Sequence, residues 1–326
     1  MKRMSRRDVL LAGAAALPWG ALAAAQEDYP AKPIRIVVGF PAGGALDVAT
    51  RALVQSLSQG ALQTLVVDNK AGAAGTIALA EVARSAPDGY TLGLGTTSNL
   101  VIASFLYPRL PYSADADLVP LGEFAQGQSL IYASRASGIT NLRQAIDAMR
   151  REPGKLSYAS PGPGTTAHLS FEMFKARDKL FVVHVPYRGT PQAMNAVAGG
   201  EVELGVDAIG PLLPLIQAGR VVPLAQSGEQ RSDFLRDVPT LGELGFPDIV
   251  GANSLSLVAP AALPGPVRGL IASEVEKAVG RPDFRDRMHR LGLWAGFRSG
   301  TAVSAGMKVQ QDFWGRAVRY SGAKND

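Results

Sequence analysis

The chain of 326 residues contains no cysteine. That removes disulfides, thiolate chemistry and zinc–sulfur sites together. Its three histidines, His168, His184 and His289, show no metal-ligand spacing. There is no G-x-S-x-G nucleophile elbow and no phosphate-cradling P-loop. The apolar stretch near the N-terminus is too short for a membrane span and is interrupted by Pro18 and Gly20. A strong charge of one sign is also missing. The formal charge of +5 is concentrated at the start, in Lys2, Arg3, Arg6 and Arg7 against Asp8. Without residues 1–25, 29 Lys and Arg face 27 Asp and Glu, a balance of about +2. That is too weak and too dispersed for nucleic acid, and no nucleic-acid partner is expected.

What stands at the N-terminus is a leader pattern. Ser5-Arg6-Arg7-Asp8-Val9-Leu10-Leu11 has the twin-arginine arrangement, and Ala21-Leu22-Ala23-Ala24-Ala25 offers small-residue cleavage sites. Residues 1–25 are read as a signal peptide cleaved near Gln26, with the rest exported to the periplasm. No cysteine follows the cleavage site, which excludes a lipid anchor. About 300 residues then remain, more than one core usually serves, so two domains are expected.

The remaining chain alternates short apolar runs with helical patterns. Strands are expected at Ile34–Phe40, Leu65–Asp68 and Tyr90–Gly95, with helices at Val48–Leu57 and Thr76–Arg84 between them. An extended stretch at Leu118–Ala133 reads as a crossover. A second set follows: helix Asn141–Arg151, strand Leu156–Ser160, helix Thr166–Ala176, strand Phe181–Val185, helix Pro191–Ala198, strand Glu203–Asp207, helix Pro211–Ala218 and strand Val221–Gln226. Asn253–Ala259 reads as a return crossover. Helices Pro266–Val279, Pro282–Leu291 and Ala302–Arg319 are expected to pack on the first domain. Such alternation implies an α/β fold with parallel sheets.

Two glycine-rich turns between strand and helix stand out. One is Pro41-Ala42-Gly43-Gly44-Ala45-Leu46-Asp47 after Ile34–Phe40. The other is Pro161-Gly162-Pro163-Gly164-Thr165-Thr166 before His168. Each sets unpaired backbone N–H groups at a helix N-terminus, where an anion is favoured. Two such loops in two halves of one exported chain suggest a protein that closes on a small acid. Each residue also has a plainer reading. Asp47 could only complement a helix dipole, His168 could pack, Arg188 could be a solvated charge and Tyr187 could line core or cleft. Asp207, at the carboxyl end of a strand, would repel a carboxylate and better suits an ammonium or hydroxyl group.

The chain resembles the periplasmic substrate-binding receptors of tripartite tricarboxylate transporters, the TctC or Bug type. The resemblance is carried by Tyr29-Pro30-Ala31-Lys32-Pro33-Ile34-Arg35, Val38-Gly39-Phe40-Pro41-Ala42-Gly43-Gly44, Val66-Val67-Asp68-Asn69-Lys70 and Ala86-Pro87-Asp88-Gly89-Tyr90-Thr91-Leu92. Further on it is carried by Tyr158-Ala159-Ser160-Pro161-Gly162 with His168-Leu169, Val185-Pro186-Tyr187-Arg188-Gly189, Ala198-Gly199-Gly200-Glu201-Val202 and Asp237-Val238-Pro239-Thr240. It implies a two-domain periplasmic binding-protein fold, type II-like, with two crossover segments and a ligand cleft between the domains. Domain 1 would comprise 30–127 with 252–326, and domain 2 would comprise 128–251. By position it implies ligand contacts from Phe40, Ala42, Gly43, Gly44 and Asp47, from Ser98 and Asn99, and from Gly162, Gly164, Thr165, Thr166 and His168. Tyr187, Arg188, Gly189 and Asp207 complete the set. The chain departs from the family in Leu46, where a polar residue is commoner, in Thr165-Thr166, which replace a serine pattern, and in the lack of a proline after Asn99.

The resemblance implies a small organic acid or amino acid as ligand, transporter membrane components as partners, no cofactor, no catalysis and a monomer. A rival is an exported enzyme, because Gly162-Pro163-Gly164-Thr165-Thr166-Ala167 matches the dinucleotide pattern G-x-G-x-x-A. The acidic residue expected about 20 positions on is replaced by His184, at the end of Phe181-Val182-Val183-His184. A periplasmic sensor module is a third reading with the same pocket.

Overall fold

The computed structural model describes residues 29–249 and 251–323. The expected signal peptide and its cleavage site lie outside the described residues. Strand β1 (Ile34–Val38) is apolar and buried except at Arg35, which pairs with Asp68 and Glu81, as suits an inner parallel strand. It pairs in parallel with β2 (Leu65–Asn69) and with β3 (Thr91–Thr96). Helices α1 (Ala45–Leu57) and α2 (Thr76–Ala83) make the crossovers between these strands. After β3 the chain winds at once into a π-helical turn, Ser98–Ile102, and a short helix α3 (Ala103–Leu106).

The crossover expected at Leu118–Ala133 is one long strand, β4 (Leu118–Ser134). The first part of β4 pairs with the return strand β9 (Ala252–Pro260), from Leu118↔Pro260 to Gln128↔Ala252. Its last part pairs with β7 (Leu204–Ala208) and β8 (Val221–Gln226). Between them lie helix α4 (Leu142–Arg151), β5 (Ser157–Ser160), helix α5 (Thr166–Arg177), β6 (Val183–Pro186), helix α6 (Thr190–Ala198) and helix α7 (Ile209–Gln217). β5 is parallel to both β6 and β7. The strand order is β2-β1-β3-β9-β4-β7-β5-β6, one curled sheet in which β4 is common to both ends.

The C-terminal part holds α8 (Gly265–Gly280), α9 (Pro282–Arg290), β10 (Trp294–Ser299) and α10 (Gly300–Ser321). α8 and α9 pack on the β1–β3 side, through Ile271, Val275, Phe284 and Met288 among Leu53, Leu57 and Phe124. α10 does not keep to that side. Trp314 is buried in a core that includes Phe171 and Phe174 of α5 together with Val37, Leu79 and Leu106. The last helix therefore seals both ends of the sheet, because its apolar face is wide enough to meet α5 as well as α3.

Candidate functional site

On the β5–β7 side, three loops leave the carboxyl ends of parallel strands and are bonded to one another. The Tyr187 N–H donates to the Ser160 carbonyl and the Gly189 N–H to the Pro161 carbonyl, each at 3.0 Å. Within the first of these loops, Thr165 caps α5. Its hydroxyl donates to the Gly162 carbonyl (2.9 Å) and accepts from the His168 N–H (3.3 Å). The Gly162 N–H donates to Ser160 Oγ and the Gly164 N–H to His168 Nδ1, both at 3.2 Å. These groups are thus engaged inside the loop. The donors at the helix end that lack an intrahelical acceptor are the Thr166 and Ala167 amides. The Thr166 hydroxyl has no partner among the described residues.

Beneath the loop lies a buried polar cluster that sequence reasoning missed. The His168 ring stacks on His184 with centroids 4.3 Å apart, and His184 stacks on Tyr158 at 4.7 Å. His184 Nε2 bonds Ser160 Oγ at 2.7 Å. The Tyr158 hydroxyl donates to Glu172 Oε1, and Lys175 Nζ donates to the same oxygen at 2.7 Å. Burial, assisted by the Lys175 charge, lowers the His168 pKa to about 4. Burial and the neighbouring His168 lower that of His184 to about 4 as well. The only sequence signal was His168, Glu172 and Lys175 at i, i+4 and i+7 on one face of α5.

Asp207 ends β7 and is 1% exposed. Its Oδ1 accepts from the Thr190 hydroxyl and from the Ala208 N–H, both at 2.8 Å. Its Oδ2 is buried without a partner among the described residues, as is the nearby Tyr132 hydroxyl. Burial pushes the Asp207 carboxyl up to about 7 against those two bonds. Tyr187 is half-buried and donates to Glu201 Oε1 at 3.2 Å. Arg188 is exposed, and its guanidinium takes no partner among the described residues. Gly189 stands at φ +107° just before α6.

On the β1–β3 side the first loop, 41–45, is exposed. Gly43 has φ +77°, whereas Gly44 has φ −72° and precedes α1. The left-handed position therefore belongs to Gly43 alone. Asp47 is buried at the third position of α1 and reaches back to accept from the Gly43 N–H at 2.8 Å, half of a capping box displaced by one residue. Its carboxylate also takes Arg51 Nε and Asn69 Nδ2. Burial pushes this carboxyl up, but the Arg51, Gly43 and Asn69 bonds outweigh it and its pKa lies below the ordinary aspartate value. Leu46 is half-buried against the core. Ala42 is exposed, and Phe40 packs beside Gly75 together with buried Asn99. Asn99 Oδ1 accepts from the Thr96 N–H at 2.7 Å, and Ser98 is half-buried beside it.

The structure thus gathers the candidate residues into two groups, each at the carboxyl ends of parallel strands, where open α/β sheets bind ligands. No hydrogen bond among the described residues joins the groups. An apolar contact lies between them: a Cβ at Gly164 (φ +75°) would strike Leu106 Cδ1 of α3. A surface cavity of about 470 Å³ lies apart from both groups, between α5 and α10 at Arg177, Ile249, Phe313 and Arg316.

One curled sheet sharing the long strands β4 and β9, with glycine-rich loops at strand ends on both sides, is the architecture of the two-domain periplasmic binding proteins that this chain resembles in structure. The family model described as "Tripartite tricarboxylate transporter family receptor" (TctC) matches residues 49–304, and the chain belongs to that family. A protein encoded in the tcbD–tcbE intergenic region of Pseudomonas sp. (strain P51) is 32% identical over 98% of this chain and 95% of its own length. BugT of Bordetella pertussis is 32% identical over 78% of each chain. Among solved structures, a Rhodopseudomonas palustris protein with adipate superposes with a TM-score of 0.82 at 27% identity, covering 91% of this chain and 99% of that one. MatC from the same species, with bound malate, gives 0.78 at 26% identity, covering 89% and 100%. Fold and family both point to a binding protein and not an enzyme.

Proposed function

We propose that this chain is an exported receptor that captures a small carboxylate-bearing solute between two lobes and delivers it to the membrane components of a tripartite tricarboxylate-type transporter. The lobes are 30–127 with 252–326, and 128–251, so that β4 and β9 carry the hinge. The observation that carries the reading is the pair of helix N-termini, α1 after Gly44 and α5 after Thr165, at the strand ends of the two units. Amides of Ala45 and Leu46 on one side and of Thr166 and Ala167 on the other receive the carboxylate, with Phe40, Ser98, Asn99, Tyr187, Arg188 and Gly189 shaping the walls. The free oxygen of Asp207 accepts from a hydroxyl or ammonium group of the ligand. Closure stabilises the bound state, and the ligand leaves chemically unchanged. That two relatives were solved with adipate and with malate supports a dicarboxylate as the first class to try. The test is a thermal-shift screen of residues 26–326 against mono-, di- and tricarboxylates, amino acids and aromatic acids. A ligand at 100 times its Kd stabilises by about 2.7 kcal/mol. A screen in which no acid shifts the transition would contradict the reading.

A further inference from the structure

Beneath the glycine-rich loop of α5, six polar side chains are packed together, three of them buried and ionisable or hydrogen-bonded to an ionised group. They are Tyr158, Glu172, Lys175, His184, His168 and Ser160. The first three form a closed charge pair: Lys175 lies against Glu172 Oε1 at 2.7 Å with side chains only 15% and 9% exposed, and the Tyr158 hydroxyl donates to the same oxygen. Buried charge of this kind is costly unless it is paired. The last three form a stacked histidine pair with Ser160 hydrogen-bonded to His184, and the group ends on two loop amides. Ser160 Oγ takes the Gly162 N–H and His168 Nδ1 takes the Gly164 N–H.

We propose that Ser160 and His168 are positioning residues for the anion-facing loop, held in turn by His184 and by the Tyr158–Glu172–Lys175 group. The proposal rests on the receptor reading above for what the loop binds, but not for how the loop is held. The chemistry of the contact fixes its sign. A backbone N–H can only donate, so His168 Nδ1 is an acceptor and the ring is neutral, with its proton on Nε2. That nitrogen faces Glu172 Oε1 at 4.0 Å. The ionisable groups around His168 are Glu172 and Lys175 on its own helix, His184 from β6 and, beyond that ring, Tyr158 from β5. Because Lys175 already matches the Glu172 charge, little negative field remains to favour an imidazolium. Protonation at Nδ1 would set two donors against each other and release the Gly164 amide. The turn that aims the Thr166 and Ala167 amides then loses one of its three side-chain anchors, leaving Ser160 on the Gly162 N–H and Thr165 on the Gly162 carbonyl.

The test uses ligand-free residues 26–326 labelled with nitrogen-15. The imidazole spectrum should show the Nε2–H form of His168 at pH 7. Acid titration should move the Gly162, Gly164 and Thr165 amides with the midpoint of His168. His168→Leu should speed exchange of the Gly164 amide about tenfold, the worth of one net hydrogen bond. His168→Asn, which returns an acceptor near Nδ1, should recover most of that protection. Ser160→Ala should act on Gly162 in the same way. Malate and adipate titrations of the same variants form a second arm, where His168→Leu should weaken whichever acid binds by at least about tenfold. Gly164 exchange unchanged in His168→Leu, or His168 titrating without moving the loop amides, overturns the proposal. If neither acid binds the parent chain, the acid selected by the thermal-shift screen takes their place, and if none is selected the receptor reading is at fault while the exchange arm still decides this one. Glu172→Gln, which leaves Lys175 unmatched, should lower the His168 midpoint further; an unchanged midpoint would also count against it.

Discussion

The Asp47 carboxylate accepts the Gly43 N–H at 2.8 Å while Arg51 and Asn69 occupy its remaining lone pairs. The residue that looked like a ligand contact or a dipole partner is the clasp of the first loop. Asp47→Ala would leave a guanidinium and an amide without their acceptor. We expect a loss of about 1.5–3 kcal/mol, the range for hydrogen bonds to a charged group. Urea unfolding measures it. A loss below about 0.5 kcal/mol would show that the clasp is idle.

Gly43 and Gly44 should behave differently although they are neighbours. Gly43→Ala forces a β-carbon into the left-handed region and should cost about 1–2 kcal/mol, with no clash to add because its Cβ meets nothing within 4 Å. Gly44→Ala sits at an allowed φ of −72° and meets only the Pro41 carbonyl oxygen, 3.2 Å away. It should cost less than Gly43→Ala, because only that oxygen has to give way slightly and no left-handed backbone is involved. Thermal melts of the two variants side by side check the order, and equal losses would contradict the assigned dihedrals.

Stability should fall on the acid side through His168. Its pKa is depressed from 6.5 to about 4, so its contribution is complete above pH 6.5 and is lost as pH falls toward 4. The full shift corresponds to about 3 kcal/mol. Asp207 has the opposite sign. Its carboxyl is raised to about 7, so the stability present below its ordinary value of 3.8 is lost as pH rises through 7. Asp207→Asn keeps the acceptor for Thr190 and Ala208. It should raise the midpoint at pH 8, by roughly 2–4 °C per kcal/mol relieved, and much less at pH 5. Calorimetry across pH 4–8 follows both, and an equal effect of Asp207→Asn at pH 5 and pH 8 would refute the buried-acid reading.

A side chain at Gly164 would run into Leu106 of α3 and would also stand at a left-handed φ of +75°. Gly164→Ala should destabilise by about 1–3 kcal/mol through overpacking and backbone strain. Leu106→Ala in the same chain should return the overpacking part. A double-mutant cycle with no coupling would show that the contact does not matter.

Much of the fold was legible because parallel strands buried on both faces read as apolar runs. Ile34–Val38 is one, and the crossovers expected at Leu118–Ala133 and Asn253–Ala259 agree with β4 and β9 to within a residue. β10 was not read, because Trp294–Ser299 is half-buried at an edge and carries Gly296 and Arg298. Ser98–Leu106 was not read as helical, since its apolar residues could equally continue a strand. α10 was assigned to one domain because periodicity shows which face is apolar but not how many partners it meets. Glycine and threonine marked the turns that precede α1 and α5. Sequence could not show that the Gly162, Gly164 and Thr165 groups bond within the loop. Nor could it show the Ser160–His184 contact, which depends on the β5–β6 register pairing Tyr158 with His184.

The central claim is that two lobes close over an acid that is held and not converted. Small-angle scattering of residues 26–326, with and without the acid selected by thermal shift, tests it most directly. The radius of gyration should fall at saturation, through bending at β4 and β9. An unchanged radius with the site demonstrably filled would contradict it.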